Sequence, residues 1–379
     1  MRMPMKRTAL VVLAIFMLTL SACSKNGGSP AHQIKLQSYK VGSAPVRSAI
    51  LEQGTHNIPL WLKYGAKDRT LVLFSSTPGL APVNDSIVAE AKKLADERAL
   101  DALFKMGDSN AGGTLYNPEN TVTLAHRLGI VKQLYWVVPS FVGITEADVS
   151  GFKDALKKDY PGLAGDIDGL KLNGRVAEGV INKVPVKFMS LQDIPQADDT
   201  VLVDVDLSYF SALYRDEKST RVLGTVSGFF RLLQDAGLNS DIVSIVTSNM
   251  DGRVPLKFRF IGLYLTSLLA KPEMLKSNPP ELWTERAEAW RVEQKDLKVS
   301  KALYKGITKK FPADAATHYD LSDVSFRLGD LETCKKELDE AARIDRGYAI
   351  GYYIIADTLS KSGKTKEADS FLTAAKALR

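Results

Sequence analysis

The sequence predicts an α/β fold, a three-layer and mostly parallel sheet, followed by an all-α domain of helical repeats. Three observations carry that expectation. Short apolar runs alternate with longer helical stretches from His56 to about Ala270. Pro272, Pro279 and Pro280 then break the pattern, as clustered prolines do between domains. Beyond them the sequence is helical throughout, and residue types recur at a spacing of 34. The expected organisation is a leader over 1–22, a tether over 23–46, the α/β domain over 47–271 and the helical domain over 281–379.

The expected strands are Thr70–Ser75, Gln133–Val138, Val184–Met189, Val201–Val205 and Ile242–Thr247. Several are nearly continuous apolar runs, the signature of parallel strands covered on both faces. Helices are expected over Asp85–Phe104, Asn120–Leu128, Thr145–Lys158, Thr220–Ala236 and Leu256–Ala270. Strands that alternate with helices imply an α/β layer fold. Asn173-Gly174, within Gly169–Asn182, predicts a hairpin inserted into the series.

Arg2, Lys6 and Arg7 open the chain, an uncharged apolar run covers Thr8 to Leu20, and Leu20-Ser21-Ala22-Cys23 follows. The run is too short for a permanent membrane span and ends in small residues, as export signals do. Leu-Ser-Ala-Cys resembles the bacterial lipobox. The resemblance implies a signal peptide that is cut before Cys23, whose sulfur takes a diacylglycerol. Acyl chains such as palmitate then provide the two signals that stable anchoring needs. Ser24 at the next position implies the outer membrane, with the protein facing the periplasm. Ser24 to about Val46 is rich in Gly, Ser, Lys and Gln and reads as a flexible tether.

The only other cysteine is Cys334, so a lipidated Cys23 leaves no internal disulfide. The net charge of +6 includes Arg2, Lys6 and Arg7, and 1–22 contains no acid, so removing the leader leaves +6 − 3 = +3. No block of Lys and Arg interleaved with aromatics occurs, which argues against a nucleic-acid partner.

Laying Pro312–Asp345 over Arg346–Arg379 aligns Gly329 with Gly363, Cys334 with Ala368, Leu338 with Leu372 and Ala341 with Ala375. The glycines suit helix ends that need a positive φ, and the small residues let a second helix lie close to the first. A weaker copy lies upstream, with Trp283 and Ala287 in one helix and Ser300, Tyr304 and Ile307 in the next. This period and these residue types resemble tetratricopeptide repeats, which implies protein binding. In the last helix, Phe371, Ala374, Ala375 and Leu378 form an apolar stripe. Phe371 and Leu378 are expected to face outward and dock a partner.

Asp199–Phe210 reads DTVLVDVDLSYF, an apolar strand ending in Asp204 and Asp206 on alternate residues. Loops past strand C-termini are where ligands sit in such sheets, and two carboxylates there can hold a divalent metal. D-V-D-L-S-Y-F resembles the D-x-D strand end of the arginase/deacetylase superfamily. Leu128–Pro139 (LGIVKQLYWVVP) and Leu71–Leu80 (LVLFSSTPGL) are similar to two other strands of one branch of it. The resemblance implies an arginase-like fold and hydrolysis of C–N bonds by a metal such as Mn or Zn. Where that family carries D, H and D after the early strand, this chain has Ser75, Thr77 and Gly79, and Ser208 replaces a further Asp. Asp204 and Asp206 remain, with His56 as a third metal-binding candidate. Without the other ligands they cannot activate a water bridging two metals.

The leading expectation is therefore a non-enzymatic or vestigially enzymatic, cofactor-free scaffold anchored in the membrane, which binds a protein through its repeats. The alternatives are a one-metal hydrolase and a small-ligand sensor. No G-x-S-x-G, phosphate loop or H-E-x-x-H motif is present. His126 reads as a helix-surface residue, Tyr135-Trp136 as sheet packing and Cys334 as a packed thiol.

Overall fold

The structure is a computed structural model that describes residues 37–109, 114–139, 144–196, 199–211 and 222–377. The expected lipobox with Cys23, the expected leader, the first part of the expected tether, the expected helix start at Thr220 and Leu378 lie outside those residues.

The sheet contains β1 (Tyr39–Lys40), β2 (Ser48–Leu51), β3 (Arg69–Phe74), β4 (Val131–Val137), β5 (Lys171–Asn173), β6 (Val176–Ile181), β7 (Val184–Met189), β8 (Val201–Asp206) and β9 (Asn239–Val246). Their order is β1-β9-β8-β3-β4-β7-β6-β5, with β2 also paired to β9. The strands from β2 through β9, β8, β3 and β4 to β7 run parallel. Only β1, β5 and β6 are antiparallel to their neighbours. The expected hairpin is β5–β6, and a second tight turn at Asn182-Lys183 joins β6 to β7 with both residues at positive φ.

Alternation along β8 separates two cores. Val201, Val203 and Val205 join Val72, Phe74, Val243 and Ile245 on one face, covered by α7 (Val222–Ala236) and α8 (Phe260–Ala270). Leu202 joins Leu71, Leu73, Leu134 and Trp136 on the other. That face is covered by α1 (Asn57–Lys63), α2 (Asp85–Asp96), α3 (Leu100–Gly107), α4 (Thr121–Arg127), α5 (Glu146–Asp159) and α6 (Ala164–Asp168). The result is the three-layer α/β arrangement.

Two local differences have physical causes. The single helix expected over Asp85–Phe104 is broken, because Arg98 adopts a φ of 55° and ends the first helical stretch. The end of the expected tether, Tyr39 to Val46, belongs to the fold: β1 pairs with β9 and Val41 and Val46 are buried.

Six helices follow as three hairpins: α9 (Glu281–Glu293) with α10 (Leu297–Lys310), α11 (Ala315–Arg327) with α12 (Leu331–Ile344), and α13 (Ile350–Lys361) with α14 (Thr365–Ala377). Asp296, Asp314 and Asp330 cap α10, α11 and α12 by accepting backbone N–H bonds at 2.8–3.1 Å. Gly329 and Gly363, both at φ 78°, end α11 and α13, where an L side chain would strain the left-handed turn. Cys334, Ala368 and Leu338 are buried in the seams as expected. Leu372 is only half-buried, and the seam beside it is filled by Phe371.

The helical array is packed on the α/β layers. Residues 256–264 lie against its first helices, with Phe258 and Phe260 on Trp290 and Tyr264 on Trp283. Arg286 stacks 4.0 Å above the Phe260 ring and pairs with buried Asp320 at 2.5 Å. Lys257 reaches Glu293 at 2.8 Å. Arg259 is buried and holds Glu52 at 2.6 and 2.7 Å and Asp345 at 2.8 and 2.9 Å. The inner face of the array is thus filled by the chain's own segment.

Candidate functional site

Leu202, Asp204 and Asp206 alternate on one face of β8, so both carboxylates emerge at its C-terminal end on the same side. They line a cavity of about 30 Å³ with Asn57, Ser75, Thr77, Gly79, Thr121 and Arg253. That space suits about two water molecules. Ser75, Thr77 and Gly79 arrive on the segment after β3, the strand hydrogen-bonded beside β8.

Each carboxylate oxygen accepts a bond from the chain itself. Ser244 Oγ donates to Asp204 Oδ1 at 2.8 Å, and Asn57 Nδ2 donates to Asp204 Oδ2 at 2.8 Å. The Ser208 backbone N–H donates to Asp206 Oδ1 at 2.8 Å, and Ser248 Oγ donates to Asp206 Oδ2 at 2.9 Å. Arg253 Nη2 lies 3.5 Å from the same Asp206 oxygen. The guanidinium is fixed in turn by Asp251 at 2.6 Å and by donation to Thr77 Oγ1 at 2.8 Å.

Burial pushes Asp204 up to about 7; the Ser244 hydrogen bond opposes this and the Asp206 charge adds to it. Asp206 is raised as well, by burial, although Arg253 pulls it back. The Asn57 Oδ1 atom is buried with no hydrogen-bond partner among the described residues. Turning that amide over would let it accept from a protonated Asp204, since the two ends of an amide are nearly isosteric. An acceptor for the proton of a neutral Asp204 is therefore within reach.

A divalent metal would need anionic or imidazole ligands converging on an open position. Ser75, Thr77 and Gly79 bring no charge, and a fixed guanidinium already lies against Asp206. His56 does not join the carboxylates. Its ring stacks on Phe104 at 3.9 Å, it does not line the cavity, and burial holds it neutral by lowering its pKa to about 4. Among the described residues, no three His, Cys, Asp or Glu side chains are placed to hold a metal. The donor set present does not fit the one-metal site of Asp204, Asp206 and His56 that the hydrolase alternative needs.

The other singled-out residues are structural. His126 Nδ1 bonds the Val131 carbonyl at 2.8 Å, tying α4 to β4. His318 lies between Glu337 at 2.7 Å and the Pro312 carbonyl at 3.2 Å. Trp136 Nε1 donates to the Ser75 carbonyl at 2.8 Å and steadies the loop beneath the cavity. Cys334 is buried, and burial pushes its thiol up to about 11. Phe371 is 3% exposed and packs 6.3 Å from the Tyr352 ring. The outward-facing Phe371 expected from the stripe is corrected: with Ala368 and Ala375 it forms the buried face of α14.

Sequence reasoning missed Asn57, Ser244, Ser248 and Arg253. A signal for three of them exists. Ser240, Ser244 and Ser248 recur every fourth residue through and just past an apolar strand, and Asp251-Gly252-Arg253 follows where ligand loops lie. Nothing in the sequence around Asn57 marks it.

Compared with known proteins, the chain matches no family model. No curated protein matches it either.

Proposed function

We propose that this protein is a membrane-anchored lipoprotein that serves as a protein-interaction scaffold, with tetratricopeptide-like repeats and an arginase-like domain whose catalytic site has been lost. The supporting observation is the commitment of all four Asp204 and Asp206 oxygens to donors of the chain, with Arg253 as the counter-ion. Ser75, Thr77, Gly79, Asp204 and Asp206, the positions singled out by the arginase/deacetylase resemblance, line one cavity. Their convergence favours descent from a metal site, and their chemistry favours its loss. Anchorage in this reading rests on Cys23, at the end of Leu20-Ser21-Ala22-Cys23.

Because residues 256–264 fill the inner face of the array, the partner is assigned to its outer side. An open groove of about 410 Å³ lies there between α12 and α14, lined by Leu331, Phe371, Glu332, Lys335, Lys336 and Glu367 among others. A photo-crosslinking residue placed at Lys336 in cells should give one discrete product. The same residue at Val180, 53% exposed on the β6–β7 hairpin, should not. No product at Lys336, or the same products at both positions, would contradict the scaffold reading.

A further inference from the structure

The outer face of α10 is unlike the other surfaces of the array. Leu297–Lys310 carries Lys298, Lys301, Lys305, Lys309 and Lys310 and no acidic residue. Lys301 pairs with Asp330 at 2.5 Å, and Lys310 pairs with Glu281 and Glu285 at 2.6 Å. Lys298, Lys305 and Lys309 are exposed and form no salt bridge among the described residues. At 3.6 residues per turn they fall in one line along the helix. Beside that line lie exposed Ala302 and Gly306, then Val299 at 48% and Leu303 at 38% exposure, two of the few large apolar side chains left open to solvent. The opposite side, Ser300, Tyr304 and Ile307, is buried in the array. A row of lysines flanking a shallow apolar strip is the pattern of a helix that lies on an anionic lipid surface, with charges at the headgroups and apolar side chains at the acyl boundary.

We propose that the exposed face of α10 rests on an anionic phospholipid bilayer and fixes the orientation of the protein at the membrane. This rests on the proposed anchorage at Cys23. One attachment point on a tether leaves the fold free to rotate, and a second, electrostatic contact removes that freedom. The interaction is weak by itself, which suits a contact made at the high local concentration an anchor creates.

The test uses the unacylated chain 24–379, which contains the whole compact unit from Gln33 onward. It should co-sediment with vesicles of phosphatidylglycerol and phosphatidylethanolamine, more weakly as salt is added, and not with phosphatidylcholine alone. Each lysine near such a surface is worth about fivefold in affinity, so joint Lys298→Gln, Lys305→Gln and Lys309→Gln should weaken binding about a hundredfold. The melting temperature should not change, since all three side chains are exposed. Three results would overturn the proposal: no binding of the unaltered chain to phosphatidylglycerol, equal binding by the triple variant, or tighter binding to soluble polyglutamate than to vesicles. The last would reassign the face to an acidic protein. Labelled palmitate on Cys23 in cells, lost in Cys23→Ala, tests the anchor separately.

Discussion

Asp204 shows how a catalytic-looking residue can be retained as a structural one. A carboxylate buried beside a second carboxylate is costly to ionise, and the chain answers with two donors and an amide that can serve either protonation state. The raised value has a definite consequence for stability. From about pH 4 to about pH 7 the native protein keeps a proton that the unfolded chain releases, so Asp204 makes stability fall as pH rises through that window. Asp204→Asn has no proton to lose. Denaturant titrations should therefore show the variant gaining on the unaltered protein between about pH 4 and about pH 7, by a few kcal/mol at about 1.4 kcal/mol per unit. Parallel stability curves would mean that Asp204 is ionised throughout. The two aspartates were legible in the sequence because their spacing puts them on one strand face. Asn57 was not, because it meets Asp204 only through the fold; Ser244 and Arg253 left a signal in their spacing, but which carboxylate each would face depends on strand pairing and loops distant in sequence. His56 looked like a ligand through the family resemblance, and its actual setting, stacked on Phe104, is a tertiary fact.

At the scale of elements, strong periodicity made the parallel strands and the helical hairpins legible, as in β7, found over the very residues expected. The weaker elements escaped. Tyr39–Lys40 and Ser48–Leu51, two and four residues long, are too short to show a period of their own and become strands by pairing with β9. What the array packs against was also invisible, since Lys257, Arg259 and Phe260 read as an ordinary helix start. Arg259 holds this junction together through Glu52 and Asp345. Gly347 permits the close approach: a Cβ there would overlap the guanidinium. Gly347→Ala should lower stability by about 1–3 kcal/mol through overpacking. In an Arg259→Ala background the same change should cost below about 0.5 kcal/mol, because the clashing group is gone. Additive losses in that double-mutant cycle, measured by denaturant unfolding, would place the strain elsewhere.

At the scale of the whole molecule, one core runs from Val203 and Val205 of the sheet through Leu265 and Leu268 to Tyr319, Leu338 and Tyr352 of the array. A break in pattern near the prolines marks where the α/β layers give way to the helical array, and the described residues of the two share that core. Truncating the helices would strip cover from Phe258, Phe260 and Tyr264, so point variants are the sound way to separate the two halves. The cleft at the end of β8 bears directly on what the molecule does. If its carboxylates are committed to Ser244, Asn57, Ser248 and Arg253, no divalent cation competes for them. The direct measurement is the melting temperature of metal-free protein with and without manganese or zinc, for the unaltered chain and for Asp204→Ala and Asp206→Ala. A ligand that binds only the native state must raise the melting temperature. The prediction is no metal-dependent rise in any of the three proteins. A rise in the unaltered chain that both substitutions abolish would contradict it and restore a metal-dependent hydrolase.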